Sequence, residues 1–174
     1  HNNLGIIFQT LGEFQKARNC YEKTIQIQPN AYAAYYNLGL VFKELGEFQK
    51  AVDCHQKSIQ IKPDLVDAHN NLGIVYKELG ELQKARNCYE KAIEINPNHA
   101  GTHNNLGVVF KELGEYKKSI SCYKKAIEVN PNHASVHNNL GTVFNELGKY
   151  KKAISFYQKE LKLQPNSVNA QANI

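Results

Sequence analysis

Two pairs of histidines, His99 with His103 and His133 with His137, stand four residues apart. On a helix that spacing puts both rings on one side, where paired imidazoles can hold zinc. No third ligand recurs beside either pair, and the first histidine of each falls in a turn. Polar packing at a junction is therefore expected, with no metal and no other cofactor. The cysteines Cys20, Cys54, Cys88 and Cys122 follow one another at intervals of 34 residues. Equivalent sites on stacked helical units lie roughly 10 Å apart, beyond the ~7 Å within which a disulfide closes. They read as reduced thiols in a reducing, hence cytoplasmic, compartment. Nucleophile elbows, phosphate-binding glycine loops and paired-carboxylate sites are missing from the sequence. These residues are not expected to form an enzyme, although a catalytic domain elsewhere in a longer protein is compatible with them.

The most insistent chemistry is that of amides. "HNNLG" begins at His1, His69, His103 and His137, and "YYNLG" begins at Tyr35. An asparagine offers one acceptor and two donors, so it can satisfy a peptide unit whatever side chain follows. The elements that position these amides repeat with them. Gly39, Gly73, Gly107 and Gly141 are 34 apart, as are Gly46, Gly80, Gly114 and Gly148, and as are all five prolines, Pro29, Pro63, Pro97, Pro131 and Pro165. Residues 32–65, 66–99, 100–133 and 134–167 are then whole repeats, 1–31 is a partial one, and 168–174 starts a sixth. Positions are numbered 1 to 34 within each repeat.

Each repeat reads as two helices. Helix A takes positions 1–14, and the glycine at 15 ends it. Helix B follows and stops before the proline at 32. At about 100° per residue, positions 4, 7, 8, 11 and 14 of helix A share an apolar stripe. The glycine at position 8 is expected to meet a small residue at position 20, as Gly73 with Ala85. A helix pair of this length cannot bury its own apolar faces, whereas stacked copies can.

The other side of helix A carries the candidate binding residues. Position 6 holds Asn37, Asn71, Asn105 and Asn139; position 5 holds Tyr36, Asn70, Asn104 and Asn138. Position 9 holds Leu40, Ile74 and Val108, and position 12 holds Lys43, Lys77 and Lys111. A merely solvated helix face would be polar throughout. An apolar row between amides and lysines has the composition of a groove. The competing reading is that position 9 packs on the next helix A and that the position-6 amide bonds locally.

The pattern Leu, Gly, aromatic, Ala, aromatic, Pro at positions 7, 8, 11, 20, 24 and 32 resembles the tetratricopeptide repeat family. In residues 100–133 it is Leu106, Gly107, Phe110, Ser119, Tyr123 and Pro131; His55 stands in for the second aromatic in residues 32–65. The resemblance implies an all-α, right-handed superhelical solenoid of antiparallel helix pairs, whose concave surface, lined by A helices, commonly binds peptides or partner proteins. The carboxylate clamp of chaperone-tail receptors in this family is absent, because its lysine and asparagine positions hold other residues. The asparagine row is similar to that of the repeat superhelix in O-GlcNAc transferases, where such a ladder holds extended substrates. A strict period of 34 and the lack of an aromatic stacking row speak against the RNA-reading pentatricopeptide solenoids.

The expected function is a non-catalytic protein–protein interaction scaffold holding an extended peptide or partner segment in the groove. The alternative is the substrate-recruiting arm of a larger enzyme such as a glycosyltransferase. Nucleic acid ranks well below protein as a partner. No apolar run approaches the ~20 residues of a membrane span. The chain begins and stops inside helices, so a segment of a longer protein is expected, with exposed repeat ends that tend to stack on another copy. The net charge of +5 gathers toward the C-terminal repeats, in Lys117, Lys118, Lys124, Lys125, Lys149, Lys151, Lys152, Lys159 and Lys162. This is either a solvated face or a patch for an acidic partner.

Overall fold

The glycine and proline punctuation produces helices at the expected intervals. The computed structural model describes residues 1–166 and 168–172. Ser167, Asn173 and Ile174, and with them part of the predicted sixth helix A, lie outside the described residues. The elements are α1 (Asn2–Thr10), α2 (Phe14–Ile27), α3 (Tyr32–Glu44), α4 (Phe48–Ile61), α5 (Val66–Glu78), α6 (Leu82–Ile95), α7 (Ala100–Glu112), α8 (Tyr116–Val129), α9 (Ala134–Glu146), α10 (Tyr150–Leu163) and α11 (Val168–Ala172). Every element among the described residues is an α-helix. The chain forms two compact units, His1–Ile95 and Asn96–Ile174.

Each turn between helices A and B is built the same way. After α3, the N–H of Gly46 bonds to the carbonyl of Lys43 at 3.0 Å and that of Glu47 to Phe42 at 2.8 Å. Gly46 has φ +73°. This is a Schellman ending, whose left-handed residue favours glycine because it lacks a Cβ. The pattern recurs after α1, α5, α7 and α9. Helix A stops one residue earlier than expected, with a leucine as its C-cap.

The core departs from the single stripe. Within the first unit α3 packs against both α2 and α4, and α5 against α4 and α6; within the second, α9 packs against α8 and α10. A sandwiched helix buries two sides. Positions 3 and 10 are accordingly inside: Ala34, Val41, Ala68 and Val75 in the first unit, Val136 and Val143 in the second. Position 14, expected in the stripe, lies at the turn, and Leu11 is 65% exposed. Helix B contributes positions 20, 24 and 27, as in Ala85, Tyr89 and Ala92, all fully buried.

Candidate functional site

In the first unit, α3 and α5 bring the candidate residues of two successive repeats together. Asn71 Nδ2 donates to Tyr36 Oη at 3.1 Å and to the carbonyl of Asp67 at 2.8 Å. A backbone carbonyl only accepts, which sets the orientation of this amide. Its Oδ1 has no partner among the described residues. Burial, and secondly the Asp67 carboxylate, push the Tyr36 phenol up, while the hydrogen bond from Asn71 acts the other way. Asn37 is half-buried and makes no side-chain hydrogen bond among the described residues. Leu40, Asn70 and Ile74 are half-buried as well.

Lys43 pairs with Glu44 at 2.9 Å and Lys77 with Glu78 at 3.4 Å. Lys43, Glu44, Phe48, Ile74 and Glu78 line a cleft of about 280 Å³. The glutamates at position 13 are site residues that the sequence reading passed over. Their signal was the Lys-Glu doublet at 43–44, 77–78 and 111–112.

The second unit repeats the amide link through α7 and α9. Asn139 Nδ2 donates to Asn104 Oδ1 at 2.9 Å, and Asn104 Nδ2 approaches Asn105 Oδ1 at 3.5 Å. The Oδ1 of Asn139 is again without a partner among the described residues. Asn105 and Asn138 are half-buried. Lys111 reaches Glu146 on the next helix A at 3.6 Å. Val108 packs against the cluster that includes Val136 and Leu140, so this member of the apolar row is shared with the core. Asn71 in the first unit and Asn139 in the second thus bond back to position 5 of the preceding repeat, which is the local bonding weighed against the groove reading.

The histidines at the repeat junctions have structural partners. His99 caps α7, its Nδ1 accepting from Thr102 N at 3.1 Å. His69, His103 and His137 place Nε2 at 2.9, 2.8 and 3.2 Å from the carbonyls of Pro63, Pro97 and Pro131. Each therefore staples the start of helix A to the turn before it. Among the described residues no group of three or more His, Cys, Asp or Glu side chains could hold a metal. Cys20, Cys54, Cys88 and Cys122 form no disulfide among the described residues. Burial pushes Cys54 up to about 12 and Cys88 to about 11, far from the thiolate that nucleophilic chemistry needs. No described helix is long and apolar enough to cross a membrane.

Comparison with known proteins bears on the same residues. Two models described as tetratricopeptide repeat match residues 66–99 and 98–166, and a TPR repeat model matches 5–46 and 39–80. The crystal structure of MamA is 25% identical, with a TM-score of 0.84 over 92% of this chain and 94% of that one. YrrB, described as a TPR protein with an unusual peptide-binding site, is 23% identical, with a TM-score of 0.79 over 98% of this chain and 88% of that one. PilF of Pseudomonas aeruginosa is 18% identical, with a TM-score of 0.84 over 99% and 86%. At such identities YrrB and PilF show a shared fold alone. No curated protein matches the chain. The helix pairs, the glycine–aromatic core and repeat-model matches running from residue 5 to residue 166 place this chain in the tetratricopeptide repeat family.

Proposed function

We propose that this chain is a non-catalytic scaffold whose helix A faces hold an extended peptide or partner segment mainly by its backbone. Tetratricopeptide repeat proteins are protein-interaction scaffolds. The observation that carries the finer reading is the state of the position-6 amides. Asn71 and Asn139 use their Nδ2 donors within the protein and keep Oδ1 without a partner among the described residues. A held carbonyl acceptor recognises a peptide N–H whatever side chain follows. Leu40, Ile74 and Val108 offer apolar contact beside it. The Lys43–Glu44 and Lys77–Glu78 pairs leave little net charge for an anionic tail, which favours an internal segment as ligand.

Each such hydrogen bond adds only about 0.5–1.5 kcal/mol net. Binding no tighter than micromolar, with modest sequence preference, is expected after ordering costs. The test replaces Asn37, Asn71, Asn105 and Asn139 by Ala and measures binding of extended peptides of unrelated sequence alongside helicity. Lost binding with intact helicity supports the reading. Unchanged binding overturns it, and so does a variant that unfolds, since the asparagines are then structural.

The same face would serve a substrate-recruiting arm of a larger enzyme such as a glycosyltransferase. The full-length reading frame separates the two. Cytoplasmic placement rests on the four cysteines, which form no disulfide among the described residues. End-to-end stacking on another copy rests on Leu4, Ile6 and Ile7, which are 45%, 46% and 55% exposed on α1. Light scattering that stays monomeric at high concentration would count against it.

A further inference from the structure

Two residues of the second repeat depart from the pattern of the others. Position 5 is Asn2, Asn70, Asn104 and Asn138 elsewhere but Tyr36 here; position 24 is Tyr21, Tyr89, Tyr123 and Tyr157 elsewhere but His55 here. The two departures touch. Their ring centroids are 5.8 Å apart, tilted by 55°, a favourable arrangement for a ring pair. His55 is fully buried, and neither ring nitrogen has a hydrogen-bond partner among the described residues. Burying unpaired polar atoms opposes folding, so stability does not explain the histidine, whereas its contact with Tyr36 gives it a role.

Tyr36 stands on α3, which has α1 and α5 of the neighbouring repeats beside it. Its ring is half-buried, and its hydroxyl accepts from Asn71 Nδ2 at 3.1 Å. A phenol that accepts still carries its own hydrogen, and this one has no acceptor among the described residues. Asn71 Oδ1 is likewise without a donor among them. Both oxygens neighbour the same Nδ2, so they lie within about 5–6 Å of each other. A fixed donor and a fixed acceptor therefore stand side by side. One residue of an extended chain turns its N–H and C=O to the same edge, which is how opposed residues of an antiparallel ladder exchange two bonds.

We infer that Tyr36 and Asn71 clamp a single residue of a β-extended segment, Tyr36 O–H donating to its carbonyl and Asn71 Oδ1 accepting its N–H. This rests on the reading of the helix A face as a holder of peptide backbone, and it adds the class of segment. Proline has no N–H and cannot occupy the clamp. Proline-rich segments, which wind their carbonyls around a threefold helix, bind poorly. Tyr36 is the fixed point of the face because its ring rests on His55. Asn104, at the same position in the second unit, is bonded to the side-chain amides of Asn139 and Asn105.

Tyr36→Phe tests the clamp, because it keeps the ring against His55 and leaves Asn71 its bond to the Asp67 carbonyl. Fluorescence anisotropy compares the whole chain with Tyr36→Phe, Asn71→Ala, the double variant and the variant lacking all four position-6 asparagines. The probes are a labelled peptide of alternating Thr and Ser and an oligoproline of equal length. Tyr36→Phe should weaken binding of the Thr-Ser peptide roughly 2- to 12-fold, the factor one net hydrogen bond supplies, with unchanged helicity. The same factor should appear in the Asn71→Ala background, and oligoproline should bind more weakly than the Thr-Ser peptide. Absent wild-type binding, or full binding by the four-asparagine variant, overturns the backbone-holding reading and the clamp with it. If that reading stands, equal binding by wild type and Tyr36→Phe overturns the clamp alone. So does a Tyr36→Phe loss that vanishes in the Asn71→Ala background, since Tyr36 then only positions Asn71. Oligoproline binding as tightly as the Thr-Ser peptide overturns it too.

Discussion

The ring of Tyr123 takes the space that a side chain on Gly107 would need: its Cε1 lies 2.6 Å from the position of a Cβ there. Gly5 with Tyr21, Gly73 with Tyr89 and Gly141 with Tyr157 show the same approach. The glycine was expected to admit the small residue at position 20. Ser119 at that position does reach Gly107, donating to its carbonyl at 2.8 Å, but the tyrosine ring is what excludes a Cβ. Gly107→Ala should therefore lower stability despite alanine's better helix propensity, and Gly107→Leu should cost at least about 1–3 kcal/mol. Urea unfolding monitored by circular dichroism reads both, and an unchanged midpoint for Gly107→Leu would contradict the packing described.

His55 occupies the place of these tyrosines in the second repeat. It is fully buried, and neither ring nitrogen has a hydrogen-bond partner among the described residues. Burial, with the Lys43 ammonium adding to it, pushes the imidazole down to about 4. An unfolded chain titrates its histidines near ~6.5. Between those values the unfolded state binds more protons, so stability is full above pH ~6.5 and falls as pH drops toward 4. The loss amounts to about 3 kcal/mol at most. His55→Tyr, which recreates the ring found in the other repeats, should flatten this acid limb. Melting temperatures from pH 7 down to pH 4 for both proteins decide it, and parallel curves would show that His55 does not titrate as buried.

The staple from His103 Nε2 to the Pro97 carbonyl, at 2.8 Å, makes a third prediction. His103→Phe keeps a ring of similar size and removes the hydrogen bond. Pro97 is exposed, so water can solvate the released carbonyl and the cost stays near 0.5–1.5 kcal/mol. Amide hydrogen exchange at the start of α7 should rise more than elsewhere. Uniform protection in the variant would assign His103 to packing alone.

Asn37 and Asn71 occupy the same repeat position but differ in their contacts. Asn71 bonds to Tyr36 and to the Asp67 carbonyl, whereas Asn37 makes no such bond among the described residues. Asn71→Ala should cost about 0.5–1.5 kcal/mol of stability, and Asn37→Ala close to nothing. If both bind ligand, both substitutions weaken peptide binding. Comparing midpoints with peptide affinities for the two variants separates the structural from the binding role. Equal stability losses would refute the distinction.

The helix boundaries were legible because they depend on local chemistry. Gly46 ends α3 through its own φ, and Pro63 stops α4 through its own ring, so a 34-residue period in these residues is already a list of helix ends. The two HxxxH spacings pointed, without a third ligand, to packing; His99 caps α7, whereas the side chain of His133 makes no cap bond to α9. Burial was read less well. One stripe per helix assumes one partner, and Val41 and Val75 lie outside that stripe yet are fully buried because α3 and α5 are each held between two B helices.

By itself the sequence determined the class of module, the helix pairs and which residues of helix A share a face, since these follow from periodicity and backbone preference. The tertiary structure decided how the amides on that face are used. Asn71 meets Tyr36, and Asn139 meets Asn104, across 35 residues of sequence. Which acceptor an amide reaches at that separation depends on the spacing and register of neighbouring helices. Those are settled in the core, where glycine packs against tyrosine or, at Gly39, against His55.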